Sequence, residues 1–277
     1  MDRALEAEAK ALLRAARARL EELAEEEFAW MPKRGAEARA EPVAPQRTPA
    51  RDASRAASAP IGEHASEARS EPQASEVNQE KGEAPNDALA RVREHLGNCT
   101  RCPLHQGRTK IVFGDGNANA EIMFVGEGPG EQEDLSGIPF VGRAGELLTK
   151  IIQAMDEAKL VPGVSLSRES VYICNVLKCR PPENRNPLPH EIEACTPYLE
   201  RQLEALQPRI ICCLGKFAAE LLVGVKGTIA GLRGKVYRYR GAKLIVTYHP
   251  AACLRNPAYK RPVWEDMQLL AREYLTD

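Results

Sequence analysis

The apolar stretch EIMFV, residues 121–125, leads directly into GEGPGEQEDLSGIPFVGRAG, residues 126–145, which contains six glycines and four acidic residues. A short apolar run before a glycine cluster predicts a buried strand that ends in a tight loop. Helical periodicity follows from Ala144 to Ala158. A strand, a loop and a helix in this order form the repeating unit of α/β proteins, so the stretch predicts a layered α/β fold.

The alternation of short apolar runs with amphipathic segments continues to the end of the chain. Predicted strands occupy residues 111–114, 121–125, 171–177, 209–214 and 243–248, with a further pair near 235–239. Predicted helices occupy residues 144–158, 190–206, 217–223 and 263–275. This order favours a largely parallel central sheet covered by helices. Glu127, Asn175 and His249 lie at or just beyond the ends of predicted strands, at the edge where such sheets bind ligands.

The N-terminal part of the chain differs in composition from the rest. Residues 1–31 are rich in Ala, Leu, Glu and Arg and predict an amphipathic helix, which is either solvated or bound to an unidentified protein or a second copy. Residues 32–88 are rich in Ala, Pro, Ser and Glu with few large apolar side chains, which predicts a disordered linker. The α/β domain is therefore expected over residues 89–277.

Charge is divided unevenly between these parts. Residues 1–90 contain 18 acidic and 13 basic residues and the remainder contains 21 acidic and 25 basic residues, so the net charge of -1 conceals a mildly basic domain. A basic domain is compatible with a polyanionic partner. The sequence shows neither a signal peptide nor an apolar run long enough to cross a membrane, which predicts a cytoplasmic protein without a membrane partner.

All eight cysteines fall between residues 99 and 253, and in a reducing compartment such a set binds metal or packs in the core more often than it forms disulfides. Cys99 and Cys102 form a C-x2-C pair, and Cys179 and Cys195 follow with 15 residues between them. Four thiolates can bind a zinc ion or a 4Fe-4S cluster, and the lack of a second C-x2-C pair favours iron-sulfur. Three other cysteines lie in predicted strands and are expected to be core residues: Cys174, Cys212 and Cys213.

The glycine-rich loop does not match a nucleotide-binding pattern. Its glycines are not spaced as G-x-G-x-x-G, no G-K-[ST] follows, and its carboxylates would repel a pyrophosphate. Glycines that admit backbone N–H groups, followed by a carboxylate and Phe140, suit an uncharged aromatic ring that is hydrogen-bonded at its edge and stacked on its face. The Asn175 amide has both a donor and an acceptor for such an edge. His249 stands directly before a proline, which holds the His249 backbone in an extended conformation. The set predicts a pocket for a flat, neutral ring, the alternative being a plain surface turn.

Five motifs occur in order: the C-x2-C pair, GEGPGEQED with PFVG, NVLKCRPPENRNP, the cysteine at 195, and HPAACLRNP. In this combination the chain resembles the family 4 uracil-DNA glycosylases, the iron-sulfur branch of the uracil-DNA glycosylase superfamily. The resemblance covers residues 95–275. It implies a three-layer α/β/α sandwich with a central parallel four-stranded sheet. It also implies a monomeric repair enzyme that flips uracil out of single- or double-stranded DNA and hydrolyses its N-glycosidic bond.

The resemblance also implies roles for individual residues. The expected ligands of one 4Fe-4S cluster are Cys99, Cys102, Cys179 and Cys195. The expected backbone contacts to uracil come from Gly126, Glu127 and Gly128. The ring would stack on Phe140, Asn175 would bind its N3/O4 edge, and His249 would donate to O2, where charge collects on the departing base. Glu133 would crowd C5 and exclude the methyl group of thymine.

Further implications concern the DNA and the attacking water. Leu254 and Arg255 would fill the vacated base stack and contact the backbone, and basic residues near the pocket would bind phosphates. The basic residues are Lys178, Arg180, Arg185, Lys260 and Arg261. Better known uracil glycosylases carry an acidic residue or Asn at the position of Gly128. Either Glu127 therefore orients the water, or catalysis relies on stabilising the leaving group.

Two alternatives remain open at this stage. A protein of the same fold that traps uracil-DNA covalently would carry Gln at the position of Gly128 and an inserted basic loop beyond the first motif, and this sequence has neither. A four-cysteine protein that binds DNA without catalysis would contain zinc instead of iron. The first alternative predicts a stable protein-DNA adduct and the second predicts no excision.

Overall fold

The computed structural model describes residues 83–276. The α-helices are α1 Pro85–Leu96, α2 Glu131–Ser136, α3 Arg143–Glu157, α4 Pro189–Leu206, α5 Lys216–Val223, α6 Ile229–Leu232, α7 Pro250–Arg255 and α8 Lys260–Tyr274. The strands are β1 Asp115–Gly116, β2 Ile122–Gly126, β3 Tyr172–Asn175, β4 Ile210–Leu214, β5 Val236–Tyr239 and β6 Ala242–Thr247. Short 3-10 turns occupy Pro103–Gln106, Pro182–Asn184 and Pro257–Tyr259. The predicted N-terminal helix and most of the predicted linker lie outside the described residues, and α1 already begins inside the last residues assigned to the linker.

In this part of the chain the strands form one six-stranded sheet in the order β1-β3-β2-β4-β6-β5. The inner strands β3, β2, β4 and β6 are parallel, which confirms the predicted parallel core of four strands. An antiparallel strand extends each edge, so the complete sheet is mixed. The predicted strand at 111–114 is wrong, because the N–H of Val112 donates to the carbonyl of Lys178 beyond the end of β3 and pairing with β3 begins at Asp115.

Helices cover both faces of the sheet. Alternate residues of β2 point to opposite sides, Met123 and Val125 into one core and Ile122 and Phe124 into the other. Helices α1, α4 and α5 pack on the first face, and α3, α7 and α8 pack on the second. Each fully buried apolar side chain contributes roughly 1.5–3 kcal/mol, so these two cores hold the strands in place. The predicted α/β/α sandwich is confirmed. None of the described helices is long and apolar enough to cross a membrane.

Candidate active site

A pocket opens at the carboxyl edge of the parallel strands. Gly126, the last residue of β2, pairs in register with Asn175, the last residue of β3, and His249 follows the end of β6. The cavity between them has a volume of about 530 Å³. Six of the seven predicted uracil-binding residues line it: Glu127, Gly128, Glu133, Phe140, Asn175 and His249.

Gly126 at the end of β2 and Gly128 in the loop after it differ in how closely other atoms approach them. A Cβ on Gly126 would lie 2.4 Å from Oδ1 of Asn175 and 2.5 Å from Cζ of Phe140. Such distances are too short for a side chain, so glycine at this position lets the amide and the aromatic ring approach the backbone together. A Cβ on Gly128 would lie 3.5 Å from Cβ of Leu177, which is ordinary van der Waals contact. Packing therefore requires Gly126 and does not require Gly128.

Asn175 presents an unpaired hydrogen-bond acceptor to the pocket. The residue is 1% exposed, and within residues 83–276 its Oδ1 has no hydrogen-bond partner. Leaving a buried polar atom unpaired costs roughly 1–3 kcal/mol, which a ligand with an N–H group could recover. The backbone of Asn175 is held in place, because Nζ of Lys178 donates to its carbonyl at 2.7 Å.

His249 is a neutral imidazole with a defined tautomer. The backbone N–H of Ala251 in α7 donates to Nδ1 of His249 at 3.1 Å, which places the ring proton on Nε2. Burial, assisted by the Arg255 cation, lowers the pKa of His249 to about 4. The ring lies beside that of Phe140, with centroids 5.5 Å apart and planes at 30°. At neutral pH His249 is therefore a hydrogen-bond donor next to an aromatic ring.

Glu127 has the properties of a proton acceptor. It is partly buried at the pocket wall, and burial raises the pKa of its carboxyl to about 6 despite the opposing effect of Arg255. Its own carbonyl accepts a hydrogen bond from the N–H of Leu177 at 3.0 Å, which fixes this part of the loop beside the segment after β3. A carboxyl with a pKa near neutrality is suited to accept a proton from water at physiological pH.

Glu133 connects two parts of the pocket wall. Its Oε1 accepts hydrogen bonds from the N–H groups of Val141 and Gly142, both at 2.9 Å, and its Oε2 accepts one from Gly130 at 3.1 Å. The carboxylate thus joins the start of α2 to the loop that carries Phe140. Its exclusion of thymine stays a prediction, to which the structure adds this organising role.

The residues predicted to contact DNA differ in their surroundings. Arg255 is exposed and lines the pocket, whereas Leu254 is partly buried against the core beneath α7. Arg185 also lines the pocket, but its guanidinium forms two hydrogen bonds, at 2.6 and 2.9 Å, with the buried carboxylate of Glu191. Arg180 donates to a side chain of its own loop at 2.8 Å. Contacts of these four residues with DNA stay predictions.

The prediction that Lys178 binds phosphate is wrong. The residue is 1% exposed, and its ammonium donates to the carbonyl of Asn175 at 2.7 Å and to Oε1 of Gln202 at 2.6 Å. Gln202 in turn donates to the carbonyl of Phe113 at 2.9 Å and to the hydroxyl of Tyr172 at 3.1 Å. Lys178 is therefore part of a buried polar network beneath the site, which keeps it away from DNA.

The pocket rim contains one basic residue that the motifs did not reveal. Arg143 is the first residue of α3, is exposed and lines the cavity. A lone arginine at a helix start carries no sequence signal, so only the folded chain identifies Arg143 as a rim residue.

Arg261, one of the predicted phosphate ligands, is also exposed and lies 3.4 Å from the carboxylate of Glu265.

The four cysteines predicted to bind iron come together from three segments. Cys99 and Cys102 follow α1, Cys179 follows β3, and Cys195 lies in α4. All four are free thiols. Burial is the main cause that raises the pKa of Cys195 to about 11, and the neighbouring thiols of Cys179 and Cys102 act in the same direction. The thiols are therefore close enough to influence one another.

Two arginines donate hydrogen bonds to sulfur atoms of this group. Nη1 of Arg101 lies 3.4 Å from Sγ of Cys99, and Nη1 of Arg108 lies 3.3 Å from Sγ of Cys179. Cationic donors favour the thiolate, which is the form that binds metals. Among residues 83–276, no set of three or more His, Cys, Asp or Glu side chains is arranged to hold a metal ion directly.

The family model for the uracil DNA glycosylase superfamily matches residues 113–268, which include the α/β sheet and the residues that line the pocket. The chain is 44% identical to the Type-4 uracil-DNA glycosylase of Archaeoglobus fulgidus over 190 residues, 66% of this chain and 91% of the relative. It is 45% identical to that of Thermotoga maritima over 181 residues, 64% and 90% of the two chains. Identity to the Type-5 uracil-DNA glycosylase of Pyrobaculum aerophilum is 30% over 188 residues, 56% and 79%. The chain therefore belongs to the type-4 uracil-DNA glycosylases, as the motifs predicted.

Proposed function

We propose that the chain removes uracil from DNA by hydrolysis of its N-glycosidic bond, which releases uracil and leaves an abasic site. Membership of the type-4 uracil-DNA glycosylases supports this DNA repair activity. The single observation that carries the assignment of the pocket is the unpaired Oδ1 of Asn175 next to the ring of Phe140. N3–H of a flipped-out uracil can donate to that oxygen while the base stacks on the ring.

His249 and Glu127 have separate roles in the reaction, the first towards the leaving uracil and the second towards the attacking water. As the bond between C1′ and N1 breaks, the bonding electrons move into the uracil ring and charge develops on O2. The Nε2–H of neutral His249 donates to O2, and one such oriented donor contributes roughly 3 to 4 kcal/mol to the transition state. The Glu127 carboxylate accepts a proton from water as the water oxygen bonds to C1′. His249 donates a hydrogen bond without transferring its proton, so the products are the uracil anion and an abasic sugar. The anion takes up a proton from solvent, and Glu127 returns its proton to solvent.

Arg143 and Arg255 are the proposed contacts to the DNA backbone. Both are exposed at the rim of the pocket, where a guanidinium can contact the phosphates on either side of the flipped nucleotide. Leu254 would enter the vacated base stack, and its partial burial beneath α7 means that it must leave some of its core contacts to do so. Phosphate contacts position the backbone, whereas Asn175 reads the base.

The four neighbouring thiols and the donors Arg101 and Arg108 fit one 4Fe-4S cluster, whose proposed ligands are Cys99, Cys102, Cys179 and Cys195. Cys99, Cys102, Cys179 and Cys195 would hold the cluster, which would thereby cross-link the segment after α1, the loop after β3 and α4. The cysteines must stay reduced to bind it, which agrees with a cytoplasmic location. We also propose that the domain is monomeric and that residues 1–31 bind a protein partner.

Excision is tested with a labelled oligonucleotide that contains one uracil in a U·G pair, a U·A pair or a single strand. Alkali cleaves the DNA at abasic sites, so cleavage after incubation with the protein is the expected result. A T·G duplex is the matched control and should stay intact. Uncleaved uracil DNA would refute the proposed activity, and an adduct that survives SDS would support the covalently trapping alternative.

The cluster is tested by metal analysis and absorbance near 400 nm of the purified protein. Iron and a brown colour are expected, and Cys179→Ser should lose both. Cys253→Ser is the control, because Cys253 is a buried cysteine in the core on the opposite face of the sheet. Zinc in place of iron, or full iron content in Cys179→Ser, would contradict the assignment.

A further inference from the structure

Phe140 adopts a backbone conformation that is rare for phenylalanine. Its φ is 54°, in the left-handed region, where a residue other than glycine is strained. The first turn of α3 presses against it, since a Cβ on Gly145 would lie 1.9 Å from the carbonyl oxygen of Phe140. Such a conformation persists only where the surrounding structure enforces it, and such positions concentrate at functional sites.

Arg168 holds this peptide from one side. Its Nη1 donates to the carbonyl of Phe140 at 2.9 Å, and its Nη2 donates to the carbonyl of Pro139 at 2.8 Å. A weaker bond from Nη1 to Oγ1 of Thr149, at 3.4 Å, connects the same guanidinium to α3. The planar fork of arginine can bind two adjacent carbonyls at once, which the single ammonium of lysine does less well.

Glu133 holds the same loop from the other side. Arg168 binds the carbonyls of residues 139 and 140, and the Glu133 carboxylate binds the N–H groups of residues 141 and 142. The two side chains therefore determine the orientation of the peptides on both sides of the strained residue. Between them, the ring of Phe140 is directed towards Gly126 and lies beside His249.

We propose that Arg168 is a positioning residue for uracil excision. Together with Glu133 it keeps Phe140 in the left-handed conformation, so that the stacking face is in place before the base enters. Without the guanidinium, the peptide relaxes to an ordinary conformation and the ring leaves the pocket wall. Each binding event must then restore the strained conformation, which weakens binding and slows the reaction. This inference rests on the proposed function, because it assumes that uracil stacks on Phe140.

The test is a double-mutant cycle of Arg168→Met and Phe140→Leu, with single-turnover excision and inhibition by free uracil as readouts. Arg168→Met should slow excision roughly tenfold, which corresponds to the strain of one left-handed residue, and should weaken inhibition by uracil by a similar factor. The double variant should be no slower than Phe140→Leu alone, because Arg168 acts through the ring. If Arg168→Met does not fold, Arg168→Lys takes its place in the cycle.

Lys243→Met is the matched control. Like Arg168, Lys243 is a cation that donates to two backbone carbonyls, of Glu273 at 2.8 Å and Thr276 at 2.7 Å, but it lies at the start of β6, away from the pocket. This variant should lose thermal stability and keep the wild-type rate. The role of Arg168 would be overturned if the rate losses of the two single variants multiplied in the double variant. Normal inhibition of Arg168→Met by free uracil would overturn it as well. Absence of excision by the wild-type protein would refute the proposed function instead.

Discussion

Protonation of Glu127 should set the acid limb of the pH profile for excision. Burial raises the pKa of this carboxyl to about 6, so the carboxylate is present above pH 6 and is lost below it. A base that must be ionised then loses activity about tenfold for each further pH unit, which leaves roughly a tenth of the plateau rate at pH 5. His249, with a pKa of about 4, stays neutral throughout this range and does not contribute to the limb.

The Glu127→Gln substitution tests the role of Glu127 as general base while it leaves the shape of the pocket nearly unchanged. The amide has nearly the same size but accepts no proton, so the plateau rate should fall at least roughly 100-fold and the residual rate should not vary between pH 5 and 8. The assay is single-turnover excision of a U·G duplex in buffers of constant ionic strength, with abasic sites revealed by alkali. Glu146→Gln, which neutralises an exposed acid in α3, should keep the wild-type profile. A flat wild-type profile, or an unimpaired Glu127→Gln variant, would mean that stabilisation of the leaving group suffices without a base.

Five further substitutions test the geometry. Asn175→Ala and His249→Ala should each slow single-turnover excision by at least roughly tenfold, because each removes an oriented polar contact; wild-type rates in both would refute their roles. Gly126→Ala should abolish excision, since its methyl group overlaps the amide and the stacking ring, whereas Gly128→Ala should stay close to the wild-type rate. Equal losses in the two glycine variants would contradict the steric argument. Lys178→Met should lower the melting temperature and leave the salt dependence of DNA binding unchanged, and a shallower salt slope would show that the ammonium reaches phosphate.

The central sheet could be predicted because its strands are buried on both faces. Every residue of β2 and β4 is buried, which produces continuous apolar runs in the sequence. The edge strand β1 contains two residues, both exposed, and so carries neither periodicity nor hydrophobicity. The short helix α2, with the sequence EQEDLS, was missed for a similar reason, because six mostly polar residues after three glycines suggest a loop. Prediction fails where an element is defined by its partners more than by its own side chains.

The same distinction applies to the site. Asn175 and His249 could be identified because each stands next to a strand end within a recognisable motif. The part played by Arg168 could not, since its acceptors at the pocket wall lie 28 and 29 positions earlier in the sequence. The same reason explains why the sequence wrongly predicts Lys178 at the surface, because its acceptor on Gln202 lies 24 positions later and only the fold brings the two together. Long-range polar pairing decides the environment of both cations, and the local sequence contains no record of it.

The ordinary contacts around Gly128 have an evolutionary consequence. Because a Cβ there would make only van der Waals contacts, alanine can replace this glycine while the backbone keeps its course. Gly126 offers no such freedom, since the amide and the ring already occupy the volume that a side chain would need. Substitutions that begin with a Cβ at position 128 are therefore open to selection on an unchanged backbone, whereas those at position 126 are not.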